Sequence, residues 1–175
     1  MQGEEDSSCL EIRKSKIAGY GVFAKKNIKK GTLIIILEGE ICSSEEISRR
    51  IKNKTEQPAD PLQIDESTYL DLNEISRTFN HSCAPNAFIG GKNKLIALQN
   101  IKKGEEITYD YSTTADEDEE EVKNEHGIWY FTCNCGSKNC RHIIKQFKNL
   151  PPKLKSFYLR NKFAPDFILN KYKKY

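Results

Sequence analysis

"FNHSCAPNA" (Phe79–Ala87) places an amide, an imidazole, a hydroxyl and a thiol at four consecutive positions, Asn80 to Cys83, and then turns at Ala84-Pro85-Asn86. Strands favour β-branched and aromatic side chains, so this run is a poor plain strand. It is better read as a site. The thiol in it also bears on the other cysteines.

The chain has six cysteines. Its first residues, "MQGEEDSSCLEI", are acidic and lack the apolar stretch of a secretory signal. An intracellular location, cytoplasmic or nuclear, is therefore expected, and disulfides are not. Three thiols are crowded into "CNCGSKNC": Cys133, Cys135 and Cys140, spaced C-x-C-x4-C. Free exposed thiols at that density invite oxidation, and a disulfide inside C-x-C would be strained. A structural Zn2+ site explains them better, and it needs four ligands. Cys83, in its own tight turn, is the best fourth ligand; His142 and His126 are rivals. Cys9 falls in a leader, and Cys42 sits at a strand-to-helix junction without a partner. Zinc on Cys83 would tie the C-terminal module to the centre of the domain.

Length and composition bound the rest. A chain of 175 residues with 37% hydrophobic and 30% charged residues suits one soluble domain with a small appendage. The net charge of +3 is unevenly spread. Arg141 to Tyr175 holds many cations and one acid, Asp166, leaving the preceding chain acidic. A basic tail suits an anionic partner, but a solvated surface is the simpler reading. No apolar run approaches membrane-spanning length, so no membrane partner is expected.

Along the chain, residues 1–9 read as a disordered leader. "LEIRKSKIAGYGVFAKKNIKKGTLIIILEGEI" reads as strands separated by glycine turns, with Ile34, Ile35 and Ile36 in a strand buried on both faces. Ser43 and Glu46 form a capping box that starts a helix over Ser44–Asn53. "LQIDESTYLDL" suggests two strands turning at Asp65-Glu66. "DEDEEE" (Asp116–Glu121) reads as a solvated loop, and Pro151-Pro152 and Pro165 introduce C-terminal helices. The form A-x-x-N-I-K-K-G occurs twice, from Ala24 and from Ala97, and reads as a hairpin solution used twice.

Four stretches, in this order, carry a family likeness: "GYGVFA" (Gly19–Ala24), "RTFNHSCAPNA", "GEEITYDY" (Gly104–Tyr111) and "CNCGSKNCR". The chain resembles the SET-domain protein lysine methyltransferases with a post-SET zinc module and no pre-SET region. The likeness covers about residues 11–145. It implies a mainly β (α+β) fold of small curved sheets, with the Asn80–Cys83 segment and the segment after Tyr111 threaded in a knot-like way. The implied organisation is a leader at 1–9, a SET domain at 10–112, an acidic loop at 113–127, a post-SET zinc module at 128–145 and a basic helical extension at 146–175. The extension looks like that of compact bacterial-type members.

The resemblance implies methyl transfer from S-adenosyl-L-methionine to the ε-amine of a lysine in a protein or peptide. Histone tails are the commonest family substrates. Tyr111 matches the catalytic tyrosine, and Tyr109 matches the position that limits how many methyl groups fit; a tyrosine there favours mono- or dimethylation. Asn80 and His81 match cofactor-holding positions. Gly19 and Gly21 would let backbone approach the cofactor, Tyr20 could lie against it, and Lys16 and Ala18 flank the loop. Phe131 and Trp129 would cover the cofactor or wall the lysine channel, or pack around zinc. Cys83, Cys133, Cys135 and Cys140 match the zinc ligands. Two departures bear on the channel: Thr78 replaces a common aromatic, and "LQIDES" replaces a stretch that often supplies another tyrosine, for which Tyr69 is a substitute. The alternative reading is a zinc-stabilised protein-binding module with weak catalysis. Direct nucleic-acid binding is ranked last, and a monomer is expected.

Overall fold

The computed structural model describes residues 9–56, 60–117 and 130–173. Among the described residues, ten short strands form four small antiparallel sheets. β1 (Leu10–Lys14) pairs with β2 (Tyr20–Ala24). β3 (Leu33–Ile36), β8 (Lys94–Ala97) and β7 (Ala87–Gly90) form a three-stranded sheet in that order. β4 (Gly39–Ser43), β6 (Thr68–Leu72) and β5 (Leu62–Asp65) form another, and β9 (Phe131–Thr132) pairs with β10 (Ile143–Ile144). This is the mainly β arrangement expected of the chain.

One core binds the first three sheets together. Val22, Leu37, Phe79, Ile89, Leu95 and Ile107 are all at 0% exposure within it. Ile34 and Ile35 are consecutive and both buried, so β3 packs on both faces as its run of isoleucines predicts. Helix α1 (Ser44–Lys52) starts where expected. The Ser43 hydroxyl accepts the Glu46 N–H at 3.3 Å. The Glu46 carboxylate is engaged by Arg49 and Arg50.

The repeated A-x-x-N-I-K-K-G segments are not merely similar turns. They pair with each other. Ile28 and Ile101 exchange backbone hydrogen bonds at 2.8 Å in both directions. Asn100 Oδ1 accepts the Lys30 N–H at 2.9 Å, and Asn27 Oδ1 accepts the Lys103 N–H at 2.8 Å. The Gly31 N–H reaches the Ala97 carbonyl and the Gly104 N–H reaches the Ala24 carbonyl. The two copies are thus related by a local two-fold exchange that locks the β2 end of the chain to the segment leading into Tyr109.

The described C-terminal segment, 147–173, docks rather than trails. Helices Pro152–Asn161 and Asp166–Lys171 begin after Pro151 and Pro165 and share a second core with Phe147, Leu150, Tyr158 and Ile168. Phe163 stacks on Phe88 of β7 with ring centroids 4.7 Å apart. Asp116, expected in a solvated loop, is buried, and it receives Lys171, Tyr172 and the Lys148 N–H. Part of the tail's positive charge therefore meets the chain's own acidic body. Cys9, expected in the leader, is buried and its carbonyl accepts the Lys25 N–H at 2.8 Å. No helix among the described residues is long and apolar enough to cross a membrane.

Candidate active site

Asn80–Ser82 and Tyr109–Tyr111 lie side by side. A parallel bridge joins His81 to Tyr109, with the Ser82 N–H donating to the Tyr109 carbonyl at 3.1 Å. The Tyr111 N–H donates to His81 Nδ1 at 3.2 Å. That bond fixes Nδ1 as the acceptor, so the neutral ring carries its proton on Nε2, 3.3 Å from Cys83 Sγ. Burial pushes the His81 pKa down to about 4, with Asp110 opposing the fall.

A cavity of about 300 Å³ opens beside this junction, lined by Ile17, Ala18, Asn80, His81, Tyr111 and Phe131 together with Thr132, Cys133 and Asn134. That volume suits a small-molecule site at the lower end of the usual range. Of the candidate cofactor residues, Ala18, Asn80, His81, Tyr111 and Phe131 meet there. Lys16, Gly19, Tyr20 and Gly21 belong to the loop behind it and are not among the lining residues.

The loop is held by a residue the sequence reading passed over. Asn80 Nδ2 donates to Glu106 Oε1 at 2.7 Å, to the Tyr20 carbonyl at 2.9 Å and to the Ala18 carbonyl at 3.2 Å. Ser15 donates its hydroxyl proton to the same Glu106 carboxylate. A Cβ on Gly21 would lie 2.2 Å from Glu106 Oε1. Gly21 thus lets the backbone lie close against Glu106 and Asn80. Gly19 adopts φ +44°, with nothing near its missing Cβ, so its role is conformational. Tyr20 is 59% exposed.

Tyr109 and Tyr111 face one another with ring centroids 4.8 Å apart. The Tyr111 hydroxyl donates to the Phe79 carbonyl at 2.6 Å. Burial pushes both phenols above their ordinary range; Asp60 adds to the rise at Tyr109, and Tyr109 adds to it at Tyr111. Asp110 between them turns the other way, as alternation predicts. It is 1% exposed and receives Arg141 at 2.5 Å and the Tyr158 hydroxyl at 2.9 Å. Tyr69 lies elsewhere: it packs with Cys42 and Ile47, and its hydroxyl donates to Glu117 at 2.5 Å.

The four cysteines come together. The ligand atoms of Cys83, Cys133, Cys135 and Cys140 all lie within 4.8 Å of one another. Cys83 and Cys133 Sγ are 3.9 Å apart. Four sulfurs at ~2.3 Å from a tetrahedral zinc would stand roughly 3.8 Å apart, so the cage fits that ion. Backbone N–H groups of Arg141, Cys135 and His142 point at Cys83, Cys133 and Cys140 Sγ, as thiolates need. The imidazole of His142 is not in the cluster. His126 and Trp129 lie outside the described residues. Phe131 packs against the cysteine cluster, lines the cavity and contacts the rings of His81 and Tyr111 at 5.5 and 5.7 Å.

The cysteine spacing pointed to the cluster, and the family resemblance singled out the two tyrosines. Glu106 and Arg141 lay inside quoted motifs, unassigned. Tyr158 carried no local signal.

The SET-domain family profile matches residues 19–112. The chain belongs to the SET-domain family. The variant-silencing SET domain-containing protein of Plasmodium falciparum is 35% identical over 156 residues, covering 78% of this chain and 6% of that protein. The histone-lysine N-methyltransferase, H3 lysine-4 specific, of Schizosaccharomyces pombe is 32% identical over 148 residues, covering 77% and 15%. The H3 lysine-9 specific histone-lysine N-methyltransferase of the same yeast is 30% identical over 159 residues, covering 75% and 32%. The chain thus spans less than two thirds of the length of each of these relatives.

Proposed function

We propose that this chain transfers a methyl group from S-adenosylmethionine to the ε-amine of a lysine in a protein, with histone H3 the first acceptor to test. The observation that carries the reading is the placement of Tyr111: it walls the cavity, its hydroxyl is tied to Phe79, and its ring faces Tyr109.

The cavity fits the cofactor's chemistry. Asn80 spends its amide N–H groups on Ala18, Tyr20 and Glu106, so its Oδ1 is left to accept from a ligand's ammonium. Phe131 and Tyr111 offer flat apolar surface to a heterocycle. When bound, S-adenosylmethionine supplies an electrophilic methyl group on a sulfonium. Tyr109 and Tyr111 keep their protons near neutrality, because burial raises both pKa values. They orient the amine as hydrogen-bonding walls and are not the base. The substrate lysine sheds its proton through desolvation, which disfavours the ammonium. In-line alignment then supplies most of the acceleration.

Tyr109 packs against Tyr111, so its hydroxyl would narrow a lysine pocket at Tyr111, in keeping with mono- or dimethylation. Cys83, Cys133, Cys135 and Cys140 would hold a zinc ion that would brace Phe131 against His81. The relatives' names include both lysine-4 and lysine-9 specificity, so both H3 sites belong in the test. The experiment is transfer of a labelled methyl from S-adenosylmethionine to full-length H3, beside calorimetry of cofactor binding to the chain and to Asn80→Ala. Label on H3 and weakened binding by the variant are expected. A folded, zinc-loaded chain that labels neither H3 nor any other lysine-bearing protein contradicts the reading.

A further inference from the structure

The C-terminal helical unit reaches the two active-site tyrosines through one buried carboxylate. Tyr158, on helix Pro152–Asn161, is 2% exposed and sits in the core with Phe147 and Ile168. A tyrosine so buried needs a partner for its hydroxyl. The partner is Asp110, the residue between Tyr109 and Tyr111. Three segments converge there. Arg141, next to Cys140, donates to Asp110 Oδ1 at 2.5 Å. The Ser112 N–H donates to the same oxygen at 3.1 Å. Tyr158 donates to Oδ2 at 2.9 Å. The Asp110 carbonyl meanwhile accepts the Thr113 N–H at 2.9 Å, closing the turn that follows Tyr111.

The geometry points to Tyr158 as a positioning residue for methyl transfer: through Asp110 it fixes the backbone that carries Tyr109 and Tyr111, and with Arg141 it links the cysteine module and the C-terminal helices to that backbone. The extension is then part of the catalytic machinery and not an appendage. The physical reason is the isolation of the carboxylate. Asp110 is 1% exposed, so water cannot replace a lost donor at Oδ2. A buried carboxylate oxygen without its donor is costly, and the peptide carrying it shifts to find another. A shift of about 1 Å at a reacting group costs on the order of 100-fold in rate. Tyr109 and Tyr111 are the two chain neighbours of Asp110, so they take the shift first.

This inference rests on the methyl-transfer reading, and the experiment separates the two. Tyr158→Phe keeps the ring and its packing and removes only the hydroxyl. In the full zinc-loaded chain, kcat on an H3 peptide is expected to fall roughly tenfold, as for loss of a hydrogen bond to a charged group, with KM little changed. In an Asp110→Asn background the same substitution is expected to cost much less, because the two act through one contact. Hydrogen exchange gives a reading that needs no turnover. Amides from Tyr109 to Thr114 and around Arg141 are expected to exchange faster in Tyr158→Phe. If faster exchange is confined to Leu154–Tyr172, the hydroxyl serves the helices alone and the proposal is overturned. Unchanged kcat in an active parent overturns it as well. A parent chain without turnover counts against the methyl-transfer reading, and the exchange map then decides this one.

Discussion

The Tyr111 hydroxyl donates to the Phe79 carbonyl across 2.6 Å, so the phenol that walls the cavity is held by the first residue of the Phe79–Ala87 stretch. The bond orients the ring without using water. Tyr111→Phe removes it and leaves the packing with Tyr109 and Phe131. Loss of alignment of this kind costs about 100-fold in rate. Cofactor affinity should change far less than kcat, which single-turnover kinetics beside calorimetry would show.

Tyr109 faces Tyr111 from a 5% exposed position. Tyr109→Phe deletes one hydroxyl from the wall of the proposed lysine pocket and makes room. The expected outcome is a product shifted toward di- and trimethyl-lysine, with total methyl transfer retained. Mass spectrometry of the product peptide over time checks it. An unchanged product distribution would remove Tyr109 from this role.

The pH dependence follows from which group titrates. Both tyrosines have raised pKa values, from burial first, so they remain protonated through the neutral range. The substrate lysine begins near 10.4 and is lowered by desolvation. The rate should therefore rise with pH as the lysine loses its proton, with no falling limb below about pH 10 from tyrosine ionisation. A bell with an alkaline limb near neutrality would assign a proton-carrying role that this geometry does not offer.

The four clustered thiols predict one zinc per chain. Chelation should release it, free four thiols to a colorimetric reagent and loosen the Phe131 wall, with loss of cofactor binding. Cys83→Ser should weaken zinc retention as strongly as Cys135→Ser, although Cys83 lies far from the other three in sequence. A variant at Cys83 that keeps its zinc would leave the ion on the C-terminal module alone.

The exchanged pair of repeats offers a test away from the site. Asn27 and Asn100 each accept one backbone N–H from the other copy. Replacing either with Ala hands an exposed N–H to water and should cost up to about 1 kcal/mol. The double variant should approach the sum, since the bonds are separate. Urea denaturation measures both. No loss in either variant would make the symmetry incidental.

Much of this was legible in the chain because local rules govern it. Ser43 starts its helix, the isoleucines of β3 bury on both faces, and Pro151 and Pro165 start the last two helices, as their chemistry requires. Cys83 was the favoured fourth ligand, ahead of His142 and His126, and it does lie with the other three cysteines. What stayed hidden depends on contacts between remote segments. Ile28 and Ile101 look like two similar turns until they pair. Glu106 is one acid among many until Asn80 and Ser15 converge on it. Asp116 opens a run of like charge, yet it is buried because Lys171 and Tyr172 fold back to meet it. Charge patterning describes a run, and a single buried partner overrides it for one residue.

The most direct measurement is fragmentation mass spectrometry of histone H3 after incubation with S-adenosylmethionine and the zinc-loaded chain, beside Tyr111→Phe. The account predicts one or two methyl groups on a lysine side-chain nitrogen, dependent on cofactor and nearly lost in the variant. Methylation at the same level by Tyr111→Phe, or methyl groups on atoms other than lysine nitrogen, would contradict it.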